Sequence, residues 1–510
     1  MELEAVFQAL LNTLSFHNIV VLFLGTFIGI IVGCVPGFNA SVGVALTIPL
    51  TFSFAPDTGL ILLVAIYAGA VYGGSIAAIL INTPGEPGNI ITAMDGYNMT
   101  KKGQGGKALG MAAIASWIGG SISAIFLFLL APPLSKLTLL FGSFEMFLLA
   151  IFGLSIIVGL SKGSMVKGLM SGALGVLLAT IGIDSITGSY RYTMGLPSLY
   201  EGLPLVAVII GLYSLGAVFE LGEQKSATIQ NAGVKVNKRD ILPNLKDMKK
   251  TIKTIFRSGV IGTFAGITPG AGMSIGSAVS WEYARRSSKT PENFGKGEIE
   301  GVAAAEAGNN GVVGGSLIPL LTLGIPGNAV SAIFLGGLLI HGLRPGAALF
   351  TTHATTTYGL IWGFLFANFV MIIIGLLGTR FFSKLAIVPV YLLAPLIFVI
   401  STAGTLADRN LLADAVVMII FGIFGYFLIK LKFPLVPLVL GFILGPLAES
   451  ELRRALLINQ GDLLAAALHP ISIILIVLII FSLFGTQLKI LSKQLVRKVK
   501  KQELGGAENI

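Results

Sequence analysis

Charge is scarce in this 510-residue chain: only 11% of its residues are Asp, Glu, Lys or Arg, against roughly 25% in soluble domains. So little charge cannot cover the surface of a water-soluble protein of this length. Cysteine is scarcer still. Cys34 stands alone, which excludes an intramolecular disulfide and any cysteine-based zinc site. The four histidines, His17, His341, His353 and His469, are scattered without metal-ligand spacing. No G-x-x-x-x-G-K-[ST] run occurs, so the chain has no P-loop of its own and ATP drive from it is not expected, and neither an H-E-x-x-H nor a G-x-S-x-G in strand-turn-helix context supports an intramembrane hydrolase. Gly270-Ala271-Gly272-Met273-Ser274-Ile275-Gly276 has the wrong spacing for a dinucleotide fingerprint and no βαβ pattern around it. The Met-Glu-Leu-Glu start lacks a basic n-region, so the first apolar span is expected to be retained.

What is present is apolar. Hydrophobic residues make up 54% of the chain, and the mean hydropathy is +0.89. Glycine is abundant, 65 of 510 residues, and it lies among Val, Ile, Leu and Phe, as it does where small residues let membrane helices approach closely. With about 20 residues needed per crossing, the sequence predicts an all-α polytopic membrane protein of about 12 transmembrane helices, some discontinuous or re-entrant. The net charge of +10 does not point to nucleic acid, because no basic patch is interleaved with aromatics. The basic residues gather instead in residues 222–257 and 489–510, which the positive-inside rule assigns to the cytoplasm. These segments divide the chain into an N-terminal membrane repeat (1–221), a basic cytoplasmic loop (222–257), a C-terminal membrane repeat (258–488) and a basic cytoplasmic tail (489–510). Span parity does not set the side of the N-terminus.

The two repeats share a pattern. Gly29-x3-Gly33-x2-Pro36-Gly37-x3-Ser41-x-Gly43 returns as Gly262-x3-Gly266-x2-Pro269-Gly270-x3-Ser274-x-Gly276. Further along, Gly73-Gly74-Ser75 ahead of Pro84-Gly85 matches Gly314-Gly315-Ser316 ahead of Pro326-Gly327, with one inserted residue. Proline removes a backbone donor and glycine relaxes φ, so each Pro-Gly breaks a helix and frees polar backbone groups. Lipid cannot satisfy those groups, so they must face protein or a wet cavity. Matching breaks in duplicated halves are the sequence mark of a transporter site, and the halves are expected to be inverted. Anions suit the freed N–H groups, and cations the freed carbonyls.

Polar residues cluster at the breaks. Asn side chains can serve a carboxylate or a cation, so the expected substrate-binding set is Ser75, Asn82, Thr83, Pro84, Gly85, Asn309, Asn310, Ser316, Pro326, Gly327 and Asn328. Pro36, Gly37, Asn39, Glu86, Pro269, Gly270 and Glu306 are the coupling-ion candidates, Glu86 and Glu306 because a carboxylate at membrane depth is costly unless functional. Arg344 could pair a carboxylate, but beside Pro345-Gly346 it reads as an interface anchor.

Tyr67 to Gly85, Asp95 to Gly103, Phe294 to Asn310 and Leu323 to Asn328 resemble the large permease subunit of the tripartite tricarboxylate transporters. The resemblance runs from about Gly25 to Gly346 and weakens beyond. Ala305-Glu306 and Ala307-Gly308 depart from the usual Pro-Glu and Ala-Ala. The resemblance implies import of citrate-like or related organic acids, driven by a Na⁺ or H⁺ gradient, with no cofactor besides that ion. It also implies a small membrane subunit and an extracytoplasmic solute-binding protein as separate partners, in the cell inner membrane and its lipid. The alternatives are a stand-alone organic-anion carrier and an intramembrane enzyme, the latter without a nucleophile or acid/base set to support it.

Overall fold

The computed structural model describes residues 2–35, 38–159, 164–184, 186–223, 241–270, 272–385 and 393–483. Pro36 and Gly37, residues 224–240 of the basic central segment and the whole basic tail therefore lie outside the described residues.

The first half contains α1 Glu2–Thr13, α2 Phe16–Cys34, α3 Ala40–Thr47, α4 Pro56–Ile81, α5 Asn89–Lys101, α6 Gly105–Leu137, α7 Ser143–Gly159, α8 Met165–Ala179, α9 Leu205–Ile209 and α10 Gly216–Glu223. A π-helical turn at Ile210–Leu215 joins the last two. The second half contains α11 Leu245–Ile267, α12 Gly272–Ser287, α13 Ile299–Leu323, α14 Ala329–Ile340, α15 Ala347–Thr351, α16 Ala354–Leu385, α17 Leu393–Arg409, α18 Leu412–Lys430, α19 Leu435–Ile458 and α20 Leu463–Ala467. The strands described are the two-residue pair Gly182–Ile183 and Tyr190–Arg191, antiparallel, between α8 and α9.

Among the described residues, six helices are long and apolar enough to cross a bilayer: Phe16–Cys34, Pro56–Ile81, Gly105–Leu140, Ala354–Thr379, Leu412–Lys430 and Leu435–Ile458. Six more apolar helices are shorter, at 10–17 residues. The chain is thus an all-α membrane protein. The short helices arise where the sequence breaks the backbone, as at α3 and α14, each started by an Asn side chain. Asn39 Oδ1 accepts from Val42 N (3.0 Å), and Asn328 Oδ1 from Ser331 N (2.9 Å), so one otherwise orphan N–H of each first turn is satisfied.

Two helices form the centre. α4 is buried from Thr58 to Leu80 and α13 from Ile299 to Thr322. Each carries a broken helix at its side. Gly29 and Gly33 of α2 lie directly on the backbone of Ile66 and Ala70, so α2 runs beside α4 in the same direction. Gly262 and Gly266 of α11 lie in the same way on Gly308 and Val312 of α13. A methyl group at any of the four would meet backbone, which explains why small residues recur at this spacing. After its break α12 folds back along α11, for Arg257 Nη2 reaches Ser287 Oγ at 2.7 Å.

Candidate functional site

The helix breaks meet the two central helices in one place. Gly85, after the end of α4, sits so close to the Gly33 carbonyl and Gly74 that a Cβ would not fit. In the second half Gly327 has the same relation to the Gly266 carbonyl and Ser316, and Gly270 N donates to the Gly327 carbonyl (2.9 Å). The Pro-Gly pairs of one repeat thus lock onto each other through contacts that only glycine permits.

Two carboxylates are buried here. Glu86 is 3% exposed and Glu306 0%. Glu86 Oε1 accepts from the Ala40 N–H, the first residue of α3, so it lies where a helix N-terminus attracts negative charge. Glu306, on α13, draws donors from the other half. Its Oε1 accepts from Asn89 Nδ2 (3.0 Å) and from the Thr92 hydroxyl, both on α5, and its Oε2 from Ser116 Oγ (2.9 Å) on α6. Ser116 in turn accepts from Asn310 Nδ2 (2.8 Å). Among the described residues no Lys or Arg pairs with either carboxylate.

Asn309 differs from its neighbour. One residue along a helix turns the side chain by about 100°, so Asn310 faces α6 while Asn309 faces the junction of α5 and α12. Asn309 is fully buried, yet neither its Oδ1 nor its Nδ2 has a hydrogen-bond partner among the described residues. Its neighbours are Gly88, where an added Cβ would collide with the Asn309 amide and come within 3.1 Å of the Met273 carbonyl of α12. Buried amides are normally satisfied. An amide with both ends spare, beside two helix starts, can hold a group that carries its own donors or acceptors. Asn310 Oδ1 is also unpartnered.

Across the junction, Asn328 Nδ2 donates to Tyr67 Oη (2.7 Å), and Tyr67 Oη contacts Ser316 Oγ (3.2 Å). The structure therefore brings Glu86, Gly85, Glu306, Asn309, Asn310, Ser316, Pro326, Gly327 and Asn328 to the interior near the breaks. Asn39 and Gly270 lie at the starts of α3 and α12, with Pro269 beside Gly270. Other expected residues are placed differently. Asn82 is exposed and ends α4 in a left-handed conformation, φ 56°, which Asn tolerates better than most residues. Thr83 Oγ1 bonds back to the Ile81 carbonyl (3.3 Å), and Pro84 beside it is half-buried. Ser75 is buried, but its hydroxyl is spent on the Tyr72 carbonyl (2.7 Å). Pro36 and Gly37 lie outside the described residues.

Sequence reasoning missed Tyr67, Gly88, Asn89, Thr92 and Ser116 as site residues. Asn89 and Gly88 belong to the same polar run as Asn82, and a helix start at Asn89 would have turned attention inward. Ser116 gives no local signal, since it is one small residue on a small-residue face.

A protein-family model described as "Tripartite tricarboxylate transporter TctA family" matches residues 19–440. Among curated proteins, the chain is 37% identical over 455 residues to the "Uncharacterized 52.8 kDa protein in TAR-I ttuC' 3'region" of Agrobacterium vitis, covering 89% of this chain and 90% of that one. It is also 36% identical over 211 residues to the "Uncharacterized protein in TAR-II ttuC' 3'region" of the same organism, covering 41% of this chain and 87% of that one. No solved structure matches.

Proposed function

Because the chain belongs to the tripartite tricarboxylate transporter TctA family, a family of transporters, we propose that it is the large permease subunit of a binding-protein-dependent secondary transporter. Its substrate is a tricarboxylate or a related organic acid, and a Na⁺ or H⁺ gradient drives import. A small membrane subunit and an extracytoplasmic solute-binding protein complete the system in the cell inner membrane. The central loop and C-terminus are cytoplasmic, and about twelve spans fall into two inverted halves, 1–221 and 258–488.

The observation that carries this reading is the Asn309 amide, buried, unpartnered and set between helix breaks of both halves. Asn309, with Asn310 and the N–H groups at the start of α12, holds a substrate carboxylate. Glu86 and Glu306 are buried carboxyl groups with no described basic partner, and a cation bound beside them offsets the cost of holding negative charge there. Inversion draws support from packing direction. α2 runs parallel to α4, and α11 parallel to α13, while α4 and α13 run in opposite senses: Tyr67 meets Ser316, and residues beyond the end of α4 meet Asn309 and Glu306.

The test is uptake of radiolabelled citrate by cells expressing all three subunits. Asn309→Ala with Asn310→Ala abolishes uptake while the protein stays in the membrane at its normal level. Normal uptake by the double variant overturns the site. Uptake by the reconstituted chain without the binding protein favours a stand-alone carrier.

A further inference from the structure

Outside the helix breaks, an open groove of about 620 Å³ runs between α6 and α11. Its walls are Ile122, Ile125, Phe126, Ile252, Phe256 and Val260, with Lys253 and Arg257 beside them on α11. Ile125 is 51% exposed and Phe256 53%. The two basic residues stand one turn apart on α11. Arg257 is fixed in place: its Nη2 donates to Ser287 Oγ (2.7 Å) and its guanidinium lies 4.3 Å from the Tyr283 ring centre. Its buried Nε has no partner. No carboxylate lines the groove, and among the described residues none pairs with Lys253 or Arg257. The nearby acids are engaged elsewhere, Asp247 with Lys107 (2.7 Å) and Glu298 with Lys250 (2.8 Å).

A furrow walled by apolar side chains, with two cations one turn apart along its α11 wall, matches one class of membrane molecule. We infer that it is a binding site for an anionic phospholipid, with an acyl chain along Phe126, Phe256 and Val260 and the phosphate against Lys253 and Arg257. Arg257 suits the role because its planar fork matches phosphate oxygens and the Tyr283 stack holds it ready. Lys253 and Arg257 lie nearer the start of α11 than Val260 does, on the side where the basic segment enters, so the lipid belongs to that leaflet. There Lys246, Lys249 and Lys250 lie in the preceding turns and add an anion-attracting field.

Native mass spectrometry and thermal unfolding of the full purified chain test this, with dioleoylphosphatidylglycerol, dioleoylphosphatidylcholine and inorganic phosphate as probes. The chain prefers phosphatidylglycerol to phosphatidylcholine by roughly thirtyfold, the effect expected of two basic groups at an anionic surface. Lys253→Gln with Arg257→Gln brings the preference close to one, and Arg257→Lys retains most of it. Ile125→Trp fills the groove at an exposed position and weakens phosphatidylglycerol on the order of tenfold with both charges intact. Lys249→Gln, off the groove, removes one charge of the surrounding field and lowers the preference by about fivefold at most, far less than the paired Lys253 and Arg257 changes. The inference is overturned if phosphatidylcholine binds as well, if inorganic phosphate stabilises as strongly, or if Ile125→Trp binds phosphatidylglycerol like the native chain. It is also overturned if a small membrane subunit crosslinks at Ile125 without displacing the lipid.

Discussion

The Glu306 cluster allows a quantitative test of what binds the halves together. In Glu306→Ala the donors Asn89 Nδ2, Thr92 Oγ1 and Ser116 Oγ lose their acceptor inside the protein. The two hydroxyls can rotate toward carbonyls of their own helices, and Ser116 keeps its bond from Asn310. The Asn89 amide cannot do so, because its Oδ1 is held by the Glu86 N–H (3.2 Å). Stranding one such group costs about 1–3 kcal/mol, and the lost side-chain packing adds a comparable amount. The alanine variant is therefore expected to lose about 3 kcal/mol. Glu306→Gln keeps an oxygen for Asn89 and Thr92 and offers its NH₂ to Ser116 Oγ, which has lone pairs to accept. It gives up the charge-assisted share of three bonds but also removes a buried charge, so the net cost should stay near 1 kcal/mol. Thermal unfolding in detergent, read by fluorescence, should rank native above Gln and Gln well above Ala, with several degrees between the variants. Equal melting of the two variants would refute the argument that unsatisfied donors, rather than lost charge, dominate.

Three further outcomes are expected. Gly88→Ala puts a methyl group into the Asn309 amide, so uptake should fall at least tenfold by the order-of-magnitude cost of a blocked contact, with membrane levels unchanged in immunoblots. Asp95 is cradled by the N–H groups of Gly295, Gly297 and Glu298 (2.8–3.0 Å) and by Trp281 Nε1 (2.8 Å). Asp95→Asn sets an NH₂ against that indole N–H and should cost about 1–3 kcal/mol, visible as a lower melting point together with a shift in tryptophan emission. In the loop between α8 and α9, the N–H groups of Thr187 and Ile186, then the charges of Arg453 and Arg191, hold the Asp184 carboxyl down to about 2. A depressed value means that its contribution is complete above the unfolded carboxylate value of about 3.9 and is lost as pH falls toward 2. Hydrogen exchange at the Ile186 and Thr187 amides should therefore accelerate over that window relative to other turn amides, and Asp184→Asn should remove the pH dependence. An unchanged profile would count against the carboxylate cap.

The membrane class and the helix breaks could be read from residue order, because each follows from short-range chemistry. Sparse charge forces burial in lipid, Pro-Gly interrupts a helix wherever it falls, and Gly at four-residue spacing lets two backbones touch. Asn309, Asn310, Glu86 and Glu306 stood out in the same way, as polar groups in apolar surroundings. Orientation could not be read. Asn82 and Asn89 flank the same Pro-Gly turns, yet one caps α4 facing outward and the other reaches Glu306, 217 residues away in the chain. Ser75 and Ser316 occupy matching places, yet Ser75 bonds only to its own helix while Ser316 also meets Tyr67. Residue order by itself determined where the backbone must break and which polar groups lie beside the breaks. Only the tertiary structure decided which of those groups are consumed in holding the halves together and which, like the Asn309 amide, have no partner among the described residues, because that depends on groups brought together from distant parts of the chain.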